Sequence, residues 1–590
     1  MHLKQRLITA YVLLAAALFF PVTSHAVLTE QVAIDTRAMS LANTCTADPP
    51  GLMSVHYNPA GLSLLPEGKT FSNSLTLVHI ERTGRFNADP EWPGLMNGTW
   101  GPDPDKWPDT YSKETDPNSD HGGPDPLDGS EYSNSGYQMY VPFYGTIPFL
   151  AAPTLGISSR KKNSPWTFAY ANYPAAGAGL LHEDEGDPYQ YGVKSMYLQH
   201  LVYAAPSASY RVSNSLSLGV SVGLGQQVLG VETNVRTPNE LVALTRVIGD
   251  ATKDLNIPVV SQQTLPPPWL GGGLGPYAHD ITLKLDELRD DFSPTYNLGL
   301  LWRPREWFSF GLTYQSEAVA ELSGKYQWQY SDQFQKHVNW NSSTEMTLQS
   351  AGMLDLPTNG VPYQEGTVTT TNILPQSVHT GIMLKPVSRL KLLFDVHWAN
   401  WSVVKENRFT FDQDIQLLKL AKMMGYTEGN RDFVVNRDMK DTWHWSAGLE
   451  YDVTDHLTVR AGYERRPSSL NMEQFDVLFF LPDATLYGAG VGLKLPKDVH
   501  IDLSLACLLA DDIAIDNNES TNLNSTDFTR IGNMFAGLDY EQEAAIYMVS
   551  FKVTMPLEVQ MEHLHHQMEM VKHLFSKLNP FKKEKHDTSH

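Results

Sequence analysis

The chain has 590 residues and only two cysteines, Cys45 and Cys507. That excludes a disulfide scaffold, and no repeated Cys/His spacing of a zinc site is present. Positive charge is also scarce: 44 Lys and Arg stand against 66 Asp and Glu, a net of -22. No basic cluster occurs before the last few residues, so the electrostatic footprint of a nucleic-acid partner is missing. Long apolar runs are absent after residue 26, which leaves no segment of the roughly 20 residues that a membrane-crossing helix needs. Gly271-Gly272-Gly273-Leu274-Gly275-Pro276 lacks the Lys-Ser/Thr of a phosphate cradle. Neither a cofactor nor a bound metal is expected.

Export signals and turn formers are present. Residues 1–26 carry Lys4 and Arg6, an apolar run from Leu7 to Val22, and a small-x-small site at Ser24-His25-Ala26. This predicts a signal peptide cleaved near Ala26. The 13 Trp, 26 Tyr, 42 Gly and 37 Pro then suit interfaces and tight turns.

Strict alternation marks the rest of the chain. In residues 215–225, Leu216, Leu218, Val220, Val222 and Leu224 share one face, and the other holds only Ser and Gly. The same pattern places Phe308, Phe310, Leu312 and Tyr314, then Trp443, Trp445, Leu449 and Tyr451, on outer faces. A soluble sandwich would turn such a face to its core and put charge on the other. Here the apolar face fits lipid and the small face a crowded lumen. Six brief polar turns join these segments, at 160–164, 211–215, 303–306, 385–389, 452–456 and 496–498. Long stretches separate them near 82–138, 180–195, 234–292, 324–374, 404–440, 467–483 and 511–540. Short and long connections in strict alternation predict an all-β, fourteen-stranded antiparallel transmembrane β-barrel, with short turns periplasmic and long loops outside. At roughly 9–11 residues per strand the wall needs only about 150 residues. The expected organisation is a signal peptide (1–26), an N-terminal luminal hatch (27–69), the barrel (70–555) and a C-terminal helical tail (556–590).

Several outer loops read as folded. Thr237-Pro238-Asn239-Glu240 is a capping box, which predicts a helix over 238–255 with Leu241, Leu244, Ile248 and Leu255 on one face. Further helices are expected at 412–425 and 527–538. Apolar helices outside the membrane must bury their faces against each other or against a hydrophobic ligand. Residues 101–136, dominated by Asp, Pro, Gly and Ser, read as a solvated acidic loop. In the tail, Leu557, Met561, Leu564, Met568, Val571, Phe575 and Leu578 form one stripe. That suits a periplasmic amphipathic helix touching the membrane surface or a partner. Its histidines, His563, His565, His566 and His573, diverge too far to hold a metal.

Residues 27–69 lack alternation and contain Tyr57-Asn58-Pro59-Ala60-Gly61-Leu62. Downstream stand Arg303-Pro304 with Phe310-Gly311-Leu312-Thr313-Tyr314, Leu374-Pro375-Gln376-Ser377 with Gly381, Asp395 before Trp401-Ser402, and Leu457-Thr458-Val459-Arg460-Ala461-Gly462-Tyr463. In this order the chain resembles the FadL family of outer-membrane transporters of long-chain fatty acids and hydrocarbons. The resemblance implies a hatch built on Asn58, Pro59 and Ala60, and a kinked third strand that opens a lateral passage at Pro174, Ala175, Ala176 and Gly177. The long acidic first loop and the continuation past the last strand depart from the family pattern.

The expected partners are hydrophobic cargo and the lipid and lipopolysaccharide of a Gram-negative outer membrane. Candidate cargo contacts are Val27 and Leu28 at the mature N-terminus, Leu241, Leu244 and Ile248 in the outer helix, and Arg460. Parity sends Arg460 into the lumen, where Glu450, Asp48 or an acidic cargo could pair it. Inward His444, Glu450, Glu464, His500 and Asp502 read as a brace between hatch and wall. Catalysis is not expected: Gly219-Val220-Ser221-Val222-Gly223 matches a nucleophile elbow but lies within an alternating strand. An outer-membrane hydrolase and a barrel-anchored interaction protein are the other classes. Cys45 and Cys507 are expected to remain unbonded, with the wall between them.

Overall fold

A computed structural model describes residues 34–89, 125–134, 139–141, 145–147, 149–182, 186–236, 245, 248–249, 252–258, 264–274, 279–478, 482–525 and 529–562. The proposed signal peptide, Val27, Leu28, Leu241, Leu244 and the tail histidines lie outside these residues.

One closed antiparallel sheet forms the wall. Its fourteen strands are β1 (Gly68–Ala88), β2 (Leu150–Arg160), β3 (Trp166–Leu181), β4 (Ser195–Ala204 and Ser207–Arg211), β5 (Leu216–Arg236), β6 (His279–Arg305), β7 (Phe308–Gln315 and Ala318–Tyr330), β8 (Tyr363–Leu374 and Ser377–Val387), β9 (Leu390–Ala399 and Glu406–Phe411), β10 (Asp432–Asn436 and Thr442–Asp452), β11 (Leu457–Arg466), β12 (Ala484–Leu495), β13 (Val499–Ala510 and Ile513–Ile515) and β14 (Leu538–Pro556). Each pairs with its neighbours in sequence, and β1 closes on β14 from Thr70 opposite Pro556 to Ala88 opposite Leu538. All six short turns fall between strands where the sequence placed them. The alternation holds too: Leu218, Val220 and Val222 are exposed, while Ser217 and Ser221 are buried. Ser221 sits mid-strand and accepts a hydrogen bond from Ser207, so no strand-turn-helix elbow surrounds it.

The strands are longer than the expected 9–11 residues; β1 has 21 and β6 has 27. Their chemistry reverses partway up. On β1 the inward residues Thr70, Ser72, Ser74 and Thr76 give way to Val78, Ile80 and Phe86, all buried. Outward, Phe71, Leu75 and Leu77 give way to Glu81 and Arg85. β7 repeats the reversal, with Ser309 and Thr313 inward below Leu322, Tyr326, Trp328 and Tyr330, and with Glu321 and Lys325 outward above Leu312. Below the switch lipid surrounds the wall, and apolar atoms face out. Above it water does, so the apolar atoms turn in. The expected loops at 82–138, 234–292, 324–374 and 404–440 therefore begin and end as wall.

Other expectations need correcting. Residues 529–537 form turns rather than a helix and lead directly into β14. The helix expected at 412–425 is confined to Gln416–Ala421 with a 3-10 turn to Met424, and Gly425 ends it at φ 97°. The end of the acidic loop is ordered: Ser130–Asn134 pairs with β1, and Asp125 forms a buried bidentate pair with Arg236 at 2.7 and 2.6 Å. Two unanticipated helices, Asp332–Trp340 and Glu345–Met353, are capped by Ser331 and Thr344. Ile248 is half-buried in helical backbone, and residues 557–562 begin a helix after β14.

Both cysteines are free, Cys45 buried within the lumen and Cys507 on the outer face between Tyr487 and Tyr547. In assembled protein a lipid-soluble maleimide should label Cys507 at least ~10-fold faster than Cys45, because reactivity follows access. Denaturation should remove the difference, and equal native rates would contradict the placement.

Candidate functional site: a seated hatch beneath an apolar chamber

Residues 34–67 thread the lower lumen. Asp35 caps the helix Thr36–Ser40 by accepting from the Arg37 and Ala38 amides. The same carboxylate meets Lys552 on β14 at 2.9 Å. The Asn-Pro-Ala motif has a physical explanation. Asn58 Oδ1 accepts the Ala60 N–H at 3.1 Å and caps the 3-10 helix Pro59–Leu64. Its Nδ2 donates to the carbonyls of Thr46 within the hatch and Leu300 on the wall, at 2.9 and 3.1 Å. Proline suits the first helical position. Ala60 lies against glycines of the wall: a Cβ at Gly219 would strike the Pro59–Ala60 backbone. Likewise a Cβ at Gly462 would strike Leu41, and one at Gly311 would strike the Thr46 carbonyl. Asp395, fully buried on β9, accepts the Cys45 and Thr46 amides at 2.8 Å each.

Eight charges bind hatch to wall. Arg37 contacts Asp48 at 2.7 Å and Glu450 at 2.9 Å. Lys391 contacts the same two carboxylates at 2.8 and 2.9 Å. Arg460 contacts Glu450 and Asp502, each at 2.7 Å, and Lys552 contacts Asp35 and, at 3.6 Å, Asp502. Four cations thus face four carboxylates. Low dielectric makes an unmatched member of such a set costly, and the balance avoids that. Arg460 has Glu450 as a partner but lies beyond Asp48 in this network, and Asp502 is a second partner that parity had placed inward without pairing them.

Above the hatch a cavity of about 230 Å³ opens between wall and loops. Met196, Leu198, Leu283, Phe409, Phe433 and Phe535 are among its lining residues. Its polar members include Arg437 and Asp476, paired at 2.7 Å. Below it lies a smaller cavity of about 110 Å³, and His444 and Arg466 line both. The lower cavity also receives His56 from the hatch and His200, His379 and His397 from the wall. Register puts His379 opposite His397 and His397 opposite His444. Sequence reasoning singled out only His444 of this set, because the other four come from four separate elements. Inward parity on neighbouring strands was the available signal.

The lower cavity abuts the wall at Tyr173, Ala175 and Ala176. The β2–β3 ladder runs only from Leu155 opposite Asn172 to Ser159 opposite Phe168. From Tyr173 onward β3 has no β2 partner among the described residues. On its other side the β3–β4 register slips between Pro174 and Ala176. Pro174 cannot donate to a ladder, and Ala175, Ala176 and Gly177 leave little side-chain bulk.

The outer loops are tied down by buried polar contacts. Arg82 donates to the Val477 carbonyl at 2.6 Å and lies 3.7 Å from the Tyr189 ring centroid. At the surface, hydrogen bonds from Lys419 and Asn430 hold the Asp355 carboxyl down at about 2. Its share of loop stability is present above about pH 4 and is lost only as pH falls toward 2.

A closed barrel with a lipid-facing belt, an internal plug and an apolar chamber defines an outer-membrane transport protein. The profile of the family described as outer membrane protein transport protein (OMPP1/FadL/TodX) matches residues 16–555, and the chain belongs to that family. A Pseudomonas aeruginosa FadL homologue superposes with a TM-score of 0.60 at 15% identity, covering 90% of this chain and 100% of that one. The toluene transporter TodX of P. putida gives 0.54 at 16%, covering 90% and 99%. The 47 kDa outer membrane protein of Pasteurella multocida is 25% identical over 273 residues, which cover 45% of this chain and 52% of that protein. The chain thus spans about half the length of that relative. The family places the protein in the outer membrane of Gram-negative bacteria.

Proposed function

We propose that this transporter takes hydrophobic compounds from the cell surface into the upper chamber, passes them beside the hatch and releases them sideways between β2 and β3. The observation that carries the reading is the reversal of wall polarity, which builds an apolar compartment above the lipid belt. Outer-loop residues, including Ile248 and the helix it belongs to, would assist capture, as would Val27 and Leu28. Arg460 serves as part of the hatch brace. The barrel sits among lipid and lipopolysaccharide, with the tail from residue 556 at the periplasmic side. The sideways step is supported by the truncated β2–β3 ladder, the slip at Pro174 and the cavity behind it.

Filling the gap tests it. Ala176→Phe should slow uptake of a hydrophobic tracer by about tenfold or more, since a bulky ring would occupy the passage. Pro174→Val, which restores a donor, should slow it less. Heat-modifiable migration on gels reports assembly in both. Wild-type uptake by assembled Ala176→Phe protein would remove the exit from this position.

A further inference from the structure

We propose that the lower cavity is a subsite for a neutral, oxygen-bearing head group, a hydroxyl above all, on cargo whose apolar part occupies the chamber above. The inference rests on the transport reading and narrows its substrate class. Three observations carry it. First, the two cavities adjoin, sharing His444 and Arg466 in their walls, so one molecule can reach into both. Second, the lower cavity is more polar than the chamber above it, and its imidazoles are shielded from water. His56 is 7% exposed and His200 4%, and the Nε2 of each has no hydrogen-bond partner among the described residues. A buried polar atom left in that state costs about 1–3 kcal/mol, and an alkane lodged there would perpetuate the cost. A hydroxyl both donates and accepts, so it satisfies an imidazole nitrogen in either tautomer.

Third, charge in both compartments is balanced internally. Arg466 lies 3.1 Å from Glu464, and Arg437 lies 2.7 Å from Asp476. Among the described lining residues these are the charged side chains apart from histidine. A carboxylate entering the lower cavity would therefore find its cation already engaged and a second carboxylate, Glu464, beside it. Burying an ion under those terms is unfavourable, whereas a neutral alcohol brings no charge to desolvate.

The test is a set of three tail-matched ligands, decane, 1-decanol and decanoate, at pH 8. Their binding to the full-length chain in lipid nanodiscs is measured and corrected for partition into protein-free discs. Decanol should bind at least ~10-fold tighter than decane, about 1.4 kcal/mol, and decanoate should bind no tighter than decane. His200→Leu should abolish most of the decanol preference, and His200→Gln, which retains a polar group, should restore part of it. Equal binding of decane and decanol overturns the subsite, as does a preference for decanoate, while leaving transport of apolar cargo standing. Binding of none of the three above the protein-free discs overturns the transport reading as well. The wild-type comparison decides even where a variant fails to assemble.

Discussion

Gly462→Val should unseat the hatch and turn a plugged barrel into a conducting one. The Leu41 backbone passes so close to Gly462 that even one added carbon has no room. Side chains can rotate away from such a clash, but here both partners are main chain, one held in a ladder and the other anchored by neighbouring bonds. Overpacking ordinarily costs about 1–3 kcal/mol where side chains can adjust, so a backbone clash lies at the upper end or beyond it. Single-channel recordings in planar bilayers should show ion conductance well above wild type, or gels should show markedly less assembled barrel. Ala461→Val is the matched control, because Ala461 is exposed on the outer face of the same strand. If Gly462→Val assembles normally and stays closed, the hatch does not depend on this approach.

Glu450→Gln should loosen the hatch from its other side. Glu450 is the most connected carboxylate of the brace, with Arg37, Lys391 and Arg460 all within 2.9 Å. Neutralising it leaves four cations with three carboxylates in a water-poor space. Removing one partner from a buried ionic set costs about 3–5 kcal/mol, which corresponds to roughly 150- to 5,000-fold in the seated fraction. Limited proteolysis should cut within residues 34–67 in the variant and spare them in wild type. Arg37→Met combined with Glu450→Gln should recover part of the loss, since it again removes a cation with a carboxylate. Full protection of the single variant would show that backbone contacts, rather than the brace, retain the hatch.

Much of this arrangement is legible before any coordinates. The six short turns carry polar and turn-forming residues between alternating strands, and a period of two is a local property. The upper wall is legible only with a different rule. From Asp286 to Asp291 the sequence reads Asp-Glu-Leu-Arg-Asp-Asp, which resembles a solvated loop, yet it lies within β6. Two register slips against β5, at 285–288 and 290–293, break the parity there, so no fixed face could be followed. The outward side also becomes polar at that height, which removes the apolar marker used to find strands. Buried Arg82 and Arg236 were hidden for another reason: their partners, the Val477 carbonyl and Asp125, are distant in sequence. Arg460 shows the intermediate case, where parity gave direction and Glu450, but the second partner depended on packing.

The height of the wall has a consequence of its own. The stretch of β6 from His279 to Asp291 stands clear of the lipid belt, since Phe292 below it is 61% exposed and Lys284 and Glu287 above it are outward. At about 3.3 Å per residue and a tilt near 40°, it rises roughly 30 Å. That is comparable to the thickness of a bilayer's hydrocarbon core. The wall therefore carries a second, private oil phase beyond the lipid belt, sheathed on its outer side by charged side chains. On the transport route proposed above, a sparingly soluble molecule arriving from water would meet that phase before it meets the membrane.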